Sequence, residues 1–192
     1  MFRAVVTAQR EPLSHTIIRA LEQGAAIFWR STRTQPAIAR KLVDLAAEIT
    51  FDNIAVDSRM IPSLLQEVAS AAKTDVLLII DELGKNLEFA TQNQSAEDLY
   101  LLQQLAELPK KKGPQFYLLG LLHQAFAEYS QRLASKERNE WAKIQGRFED
   151  LPFSESTKQI TRLIGQVIDQ SRAKPFEFVI RHLRKMVIPL AD

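Results

Sequence analysis

The chain has 192 residues, of which 46% are hydrophobic and 25% charged, and its formal net charge is only +2. This length suits one domain with at most a small appendage, and the composition excludes intrinsic disorder. The sequence has no cysteine, which excludes disulfides and thiolate metal sites and predicts a reducing, cytoplasmic location. No apolar stretch is long enough to span a bilayer, so we expect no membrane partner.

The first part of the chain predicts one strand followed by helices. The run Phe2 to Thr7 is apolar and β-branched, as in a strand. A helix follows and is predicted to end at Gly24, whereas the apolar segment Ile27 to Trp29 does not by itself distinguish helix from strand. Two further amphipathic helices are predicted from apolar residues at helical spacing: Ile38, Leu42, Leu45 and Ala46, then Leu64, Leu65, Val68 and Ala72.

The clearest strand signal lies in the middle of the chain. The run Val76 to Ile80 is continuously apolar and ends abruptly at Asp81 and Glu82. A second apolar run, Phe116 to Leu122, ends at His123. Such unbroken runs are typical of parallel strands that are buried on both faces. Strands that alternate with helices therefore predict an α/β fold with a mainly parallel sheet.

The remaining segments predict helices joined by loops. A capping box, Ser95 to Asp98, is predicted to open one helix, and a lysine run, Lys110 to Lys112, lies in the loop after it. Further helices are predicted through Phe126, Tyr129 and Leu133, around Trp141 and Ile144, and from Ser154 to Gln170. The last of these carries an apolar stripe: Ile160, Leu163, Ile164, Val167 and Ile168.

The acidic pair after the central strand is the first candidate for chemistry. In open α/β sheets, ligands bind beyond the carboxyl ends of the strands, where Asp81 and Glu82 are expected to lie. A strand-terminal aspartate can hold Mg²⁺, and a neighbouring glutamate can orient or deprotonate an attacking water. Four apolar residues before Asp-Glu also occur by chance. The other interpretation is a turn or helix start, where two acidic groups meet the helix dipole.

Three segments of the chain together form a recognisable set. They are Asp81-Glu82-Leu83-Gly84-Lys85-Asn86-Leu87-Glu88, Leu119-Gly120-Leu121-Leu122-His123-Gln124-Ala125-Phe126 and Gly146-Arg147-Phe148-Glu149-Asp150. In this order they resemble the core of AAA+-type P-loop ATPases, in particular a subgroup of large bacterial ATP-binding proteins of the AAA+/STAND kind. The resemblance extends from about Phe2 to Gln170.

This resemblance implies a role for four residues. Asp81 would bind Mg²⁺ with ATP, and Glu82 would act on the attacking water. His123 would be the sensor-one residue that contacts the γ-phosphate, and Arg147 would act as a finger towards the nucleotide of a neighbouring subunit. Considered one by one, a histidine after a strand or an arginine in a turn is more often structural. ATP and Mg²⁺ are the cofactors that the resemblance implies.

The resemblance also implies an architecture. The expected fold is a three-layer α/β structure with a mainly parallel sheet of the P-loop NTPase/AAA+ type, missing its first strand and its P-loop. Residues 1–153 would form this core, and residues 154–192 would form a helical C-terminal segment at the start of the family's lid. In the family, the missing loop precedes the strand seen here at Phe2 to Thr7, so the chain would be a truncated core.

The absent phosphate-binding motif limits the expected activity. No Gly-x-x-x-x-Gly-Lys-Ser/Thr occurs; the only Gly-Lys, Gly84-Lys85, is followed by Asn86, and Ile79 stands where the first glycine would be. Each lost charge-assisted hydrogen bond to phosphate is worth about 1.5–3 kcal/mol. ATP binding by the chain alone is therefore expected to be weak or absent. The expected partners are an upstream segment with the P-loop or a second copy, and the resemblance adds a link to DNA.

An alternative from a different class is a non-catalytic α/β interaction domain that binds a protein or nucleic-acid partner. Its basis is a basic face on the C-terminal segment, and the small net charge does not by itself favour nucleic acid over protein. That face consists of Arg181, His182, Arg184 and Lys185. The three histidines lack metal-ligand spacing, so no zinc site is expected.

Overall fold

A computed structural model describes residues 1–52, 56–93, 96–108, 113–131, 135–151 and 157–167. The chain divides into two compact units, Met1–Glu149 and Asp150–Asp192. The boundary predicted from the sequence lies between residues 153 and 154. None of the helices in the described ranges is long and apolar enough to cross a membrane.

The sheet of the first unit has three parallel strands. They are β1 (Phe2–Thr7), β2 (Val76–Asp81) and β3 (Phe116–Gly120), in the order β1-β2-β3. The α/β class with a parallel sheet is thus confirmed, and β2 is the central strand. Strand β3 ends earlier than the predicted Leu122, although the Leu121 amide still donates to the Ile80 carbonyl at 2.9 Å.

Eight α-helices and a short 3₁₀-helix at Ser58–Met60 complete the described ranges. Seven lie near predicted helices, whereas the helix directly after the acidic pair was not predicted as such. The predicted positions Ser95, Leu133, Ser154 and Ile168 lie outside the described residues. The helices are α1 (Leu13–Phe28), α2 (Ala37–Asp52), α3 (Ile61–Ala72), α4 (Gly84–Gln92), α5 (Ala96–Ala106), α6 (Phe126–Tyr129), α7 (Ser135–Gln145) and α8 (Thr157–Val167).

The sequence predicted that helix α1 ends at Gly24, but the helix continues to Phe28. A Cβ atom at position 24 would lie 2.6 Å from the carbonyl oxygen of Arg3 and 3.0 Å from the Phe2 ring. The glycine therefore marks a close approach of α1 to β1 inside the helix. Trp29, directly after the helix, is buried and packs against Phe2 with ring centroids 5.6 Å apart.

Only one face of the sheet is buried by the part of the chain that the structure describes. The closed face carries Phe2, Ala4, Val6, Val76, Leu78 and Ile80, all at most 5% exposed. The open face carries Val5, Tyr117 and Leu119, which are 46–50% exposed, with Leu77 and Ile79 partly buried between them. The expectation of strands buried on both faces is therefore wrong for the described residues.

Asp98, the described end of the predicted capping box, also contacts a distant part of the chain. Asp98 is buried, and its carboxylate accepts a hydrogen bond from the Leu13 amide at 2.8 Å. Leu13 is the first residue of α1, whose N-cap position is held by Pro12 without a side-chain cap. Asp98 thus caps a neighbouring helix, because a buried helix start needs an acceptor that proline lacks.

Candidate functional site

Polar side chains meet at the carboxyl edge of the parallel sheet. Asp81 is the last residue of β2 and lies opposite Thr7, the last residue of β1. His123 follows the end of the adjacent strand β3, and its Nε2 atom lies 3.5 Å from Glu82 Oε1. The structure therefore brings Asp81, Glu82 and His123 together, as the sequence predicted. This edge is where open α/β sheets bind ligands.

The backbone of Glu82 is left-handed, with a φ of 56°. This conformation costs a non-glycine residue about 1–2 kcal/mol. It turns the chain sharply after β2, so that the Leu83 amide donates at 3.0 Å to the carbonyl of Leu121, directly after the neighbouring strand. Strained backbone of this kind is concentrated at functional sites. Here it directs the Glu82 side chain towards the loop that follows β3.

The Glu82 carboxylate has two cationic or polar partners. Lys85 forms an ion pair with it, one turn along the start of α4, and His123 lies on its other side. The hydrogen bond from Lys85 is the main cause that lowers the pKa of Glu82, and the contact with His123 adds to it. The group is therefore ionised near neutral pH. An anion that is so well stabilised is a good hydrogen-bond acceptor for water but a weak proton acceptor.

Two glycines allow the loops after β2 and β3 to pack closely against neighbouring side chains. A Cβ atom on Gly120 would lie 2.5 Å from a methyl carbon of Leu83, so the Leu83 side chain sits directly against β3. A Cβ atom on Gly84 would overlap the ring of Tyr129, which belongs to α6. The acidic loop and the histidine loop are thus held in one arrangement by steric contact as well as by backbone hydrogen bonds.

Asp81 fits a magnesium ion that a nucleotide also binds. Its side chain is exposed at the sheet edge, next to the exposed Thr7. Within the described ranges, no three His, Asp or Glu side chains form a group that could hold a metal ion by themselves. Mg²⁺ often takes only one or two protein carboxylates and completes its coordination with waters and substrate phosphates. A single exposed aspartate is compatible with that mode of binding.

Arg147 does not join this cluster. Its Nε atom donates to Glu107 Oε1 at 2.6 Å, and its Nη1 atom donates to the Lys143 carbonyl, also at 2.6 Å. Glu107 follows directly after α5. The last residues of α5 line a cavity of about 480 Å³ together with Val76 and Phe116, which are the first residues of β2 and β3. Arg147 therefore lies near the amino end of the sheet, opposite the acidic pair.

Sequence reasoning missed two contributors to the site. Lys85 is one helical turn from Glu82, so the spacing of the two residues could have indicated an ion pair. Tyr129 had only an apolar helical pattern around it, and nothing in that pattern indicates contact with Gly84. The lysine run 110–112 and the basic residues Arg181, His182, Arg184 and Lys185 lie outside the described residues.

The fold and the site together define an α/β protein with an acidic and histidine cluster at the carboxyl edge of a parallel sheet. Comparison with protein-family models, with curated proteins and with solved structures gives no match. The site's own chemistry and the motif resemblance are accordingly what indicates a function.

Proposed function

We propose that this chain supplies one side of the ATP site in a P-loop ATPase core of the AAA+ type. The observation that supports it best is the juxtaposition of Asp81 and Glu82, at the end of the central strand, with His123 beyond the adjacent strand. In this proposal the reaction is ATP hydrolysis in a complete assembly. Among the strands that the structure describes, β3 lies at one edge of the sheet, and in this proposal a further strand pairs with it beside His123.

Each of the three residues has a role that its surroundings favour. Asp81 binds the Mg²⁺ that accompanies ATP, and this ion would withdraw charge from the phosphates. Glu82 orients the attacking water as a hydrogen-bond acceptor, because its lowered pKa makes it a weak base. His123 donates a hydrogen bond from its imidazole to a phosphate oxygen. Its side chain is 79% exposed and therefore free to reach a ligand.

The phosphate-binding loop must come from residues other than these 192. A strand added to the open edge of β3, parallel to it, would end beside His123, with β3 between it and Asp81. A loop after that strand would reach the phosphates. Without that loop, the chain alone should bind ATP weakly and should not hydrolyse it. Arg147 can serve a neighbouring subunit only if its ion pair with Glu107 opens.

The test uses Mn²⁺ as a paramagnetic substitute for Mg²⁺. We expect millimolar Mn·ATP to broaden the backbone NMR signals of Asp81, Glu82 and His123 before those of Glu107 and Arg147, which lie near the other end of the sheet. Asp81→Asn should remove the selective broadening, because an amide is a poor ligand for this ion. Asp44→Asn, an exposed change on α2, is the matched control and should leave it unchanged.

Broadening centred elsewhere, or unaffected by Asp81→Asn, would contradict the proposal. Micromolar ATP affinity of the unmodified chain in calorimetry would contradict the part that concerns the missing loop. If Glu82→Gln also abolished that affinity, a phosphate site that the motif search cannot identify would be present.

A second candidate function is a non-catalytic interaction domain, and the open sheet face favours it. Val5, Tyr117 and Leu119 form an exposed apolar surface across neighbouring strands, with Leu77 and Ile79 between β1 and β3. Parallel sheets are normally covered on both faces, and exposed apolar surfaces of this kind mark interaction sites. In this candidate function the surface binds a protein, either another copy or a different chain.

Light scattering of the chain over a range of concentrations tests this second function. We expect reversible self-association that Leu119→Lys weakens, because a charge in the middle of the surface must be desolvated on association. Glu97→Lys, on the exposed side of α5, is the control and should change the association little. A chain that stays monomeric at all concentrations would argue against self-association through this face.

A further inference from the structure

Asn86 is a buried polar residue in the first turn of α4, shortly after the acidic pair. Its Nδ2 atom donates to the Glu11 carbonyl at 2.9 Å and to the hydroxyl oxygen of Thr16 at 2.8 Å. Glu11 lies in the loop after β1, and Thr16 lies in the first turn of α1. Asn86 therefore connects the segment that follows β2 to the segment that follows β1.

The hydrogen bonds around Asn86 form a chain with one direction. The Thr16 hydroxyl, which accepts from Asn86, donates in turn to Glu11 Oε1 at 2.7 Å, and Arg19 Nε donates to the same oxygen at 3.1 Å. Because a backbone carbonyl can only accept, the atom of Asn86 that faces the Glu11 carbonyl must be its nitrogen. The charged carboxylate at the end of the chain strengthens the hydrogen bonds that lead to it.

The oxygen of the Asn86 side chain is bound differently from the nitrogen. The Oδ1 atom is buried, and it has no hydrogen-bond partner among the residues that the structure describes. An unpaired buried acceptor is unfavourable for the fold, and a leucine, with the same branching, would avoid that cost. The donor group of Asn86, rather than its volume, is therefore what the residue contributes at this position.

The backbone of Asn86 is hydrogen-bonded to the strained turn itself. Its amide donates to the Leu83 carbonyl at 3.0 Å, and the Lys85 amide donates to the Glu82 carbonyl at 2.9 Å. Glu82 has the left-handed φ of 56°. A residue other than glycine keeps such a conformation only where the surrounding structure holds it firmly. Before the turn, β2 is held in the sheet, and after the turn the side chain of Asn86 holds the start of α4.

A second contact between the same two segments lies at the surface. Arg10 Nη2, in the loop after β1, lies 2.9 Å from Glu88 Oε2, and the arginine side chain is mostly exposed. Exposed ion pairs contribute little, because water and salt screen them. The hydrogen bonds of Asn86 are removed from water and are therefore the better candidates for holding α4 to the loop after β1.

We propose that Asn86 is a positioning residue, which connects the start of α4 to the loop after β1 and to α1 and so holds Glu82 in its left-handed conformation. In this conformation the Glu82 carboxylate lies between Lys85 and His123. The purpose of this arrangement in ATP hydrolysis rests on the proposed function, but the contacts of Asn86 do not. If Asn86 only filled space in the core, leucine would serve as well.

The first test compares the unmodified chain with Asn86→Leu, which removes the donor. We expect hydrogen exchange of the Leu83 amide to become about 5- to 100-fold faster, the effect of losing two ordinary hydrogen bonds. The Val76 amide, which is hydrogen-bonded at the other end of β2, is the internal reference and should change much less. Asn93→Leu, an exposed change directly after α4, is the matched control and should leave both amides unchanged.

The backbone conformation of Glu82 gives a second readout. In a left-handed residue the amide and α protons lie close together, so the nuclear Overhauser effect between them is strong. We expect a strong effect in the unmodified chain and in Asn93→Leu, and a weak one in Asn86→Leu. Thr16→Val, which removes one acceptor, should change both readouts in the same direction but less, whereas Thr16→Ser keeps the hydroxyl and should restore them.

The threonine variants decide the question if Asn86→Leu does not fold. Equal acceleration of the Leu83 and Val76 amides, or an unchanged Glu82 conformation in folded Asn86→Leu, would overturn the proposal, because Asn86 would then only stabilise the fold. Identical behaviour of Thr16→Val and Thr16→Ser would overturn it as well. No nucleotide or metal enters these measurements, so their failure is distinct from failure of the Mn·ATP test.

Discussion

The two faces of the sheet are made by the same three strands and have different surroundings. On the closed face, Leu78 and Ile80 are completely buried, and α1 approaches β1 so closely that only glycine fits at position 24. On the open face, Leu119 and Val5 are about half exposed. Both faces carry large apolar side chains, although Arg3 and Thr7 also lie on the open face of β1. The presence of apolar residues therefore does not by itself tell which face the described part of the chain covers.

The two faces show what a continuous apolar run does and does not indicate about the burial of a strand. Such a run in β2 indicates that both faces are removed from water in the functioning protein, because a parallel strand is normally covered on both sides. The described helices cover only one of the two faces. The other face is then the surface on which a further layer, from this chain or from a partner, would lie.

The largest expected effect compares two leucines on opposite faces. We expect Leu78→Ala to lower the free energy of unfolding by about 2–5 kcal/mol, because it removes a buried side chain and leaves a cavity. Leu119→Ala, which removes the same atoms from the open face, should cost less than about 1 kcal/mol. Urea denaturation followed by circular dichroism measures both changes.

This pair of variants can also contradict the comparison. Equal losses for Leu78→Ala and Leu119→Ala would mean that the open face is covered in solution. If the loss at Leu119 grew with protein concentration, a second copy would be the cover. A loss independent of concentration would indicate a cover from the same chain.

A smaller effect is expected where α1 meets the closed face. Gly24→Ala places a methyl group 2.6 Å from the Arg3 carbonyl, and we expect a loss of about 1–3 kcal/mol in unfolding free energy, typical of overpacking. Helix propensity alone would favour alanine by about 1 kcal/mol, so a destabilised variant shows that packing wins.

Gly146→Ala is the matched control for this variant. Its Cβ atom would meet backbone atoms no closer than 3.5 Å, which is ordinary contact. Thermal unfolding should show a lowered midpoint for Gly24→Ala and an unchanged or raised midpoint for Gly146→Ala. A stabilised Gly24→Ala variant would mean that α1 can move away from β1 at little cost.

The sequence was sufficient for the features that local pattern determines. The apolar run before Asp81 identified the central strand, and the run before His123 identified its neighbour, so their meeting at one edge followed from parallel topology. Features that depend on distant partners could not be predicted. Asp98 caps α1 across 85 positions of sequence, and Arg147 pairs with Glu107, 40 positions away. Neither partner can be identified from the local sequence pattern.

The smallest expected effect concerns the site at the edge, which belongs to neither face. The pKa of Glu82 is lowered first by Lys85 and then by His123. A lowered folded-state pKa stabilises the fold above the unfolded value, about 4.3, and this contribution is lost as the pH falls through the folded value. Lys85→Met should therefore raise the Glu82 midpoint in a carboxyl NMR titration. It should also lower the unfolding temperature slightly at pH 7, and this difference should disappear as the pH falls below the folded pKa of Glu82.

The matched control for this titration is Lys41→Met, which breaks an exposed ion pair with Glu67 on other helices and should leave the Glu82 midpoint unchanged. The stability effect must be small, because Glu82 and Lys85 are partly exposed and surface ion pairs contribute little. The midpoint is the sharper measurement, since it reports the local contact directly. If Lys85→Met left the Glu82 midpoint unchanged, the lysine would not be what lowers the pKa of Glu82. The turn after β2 would then have to be held by backbone contacts, Asn86 and Tyr129 alone.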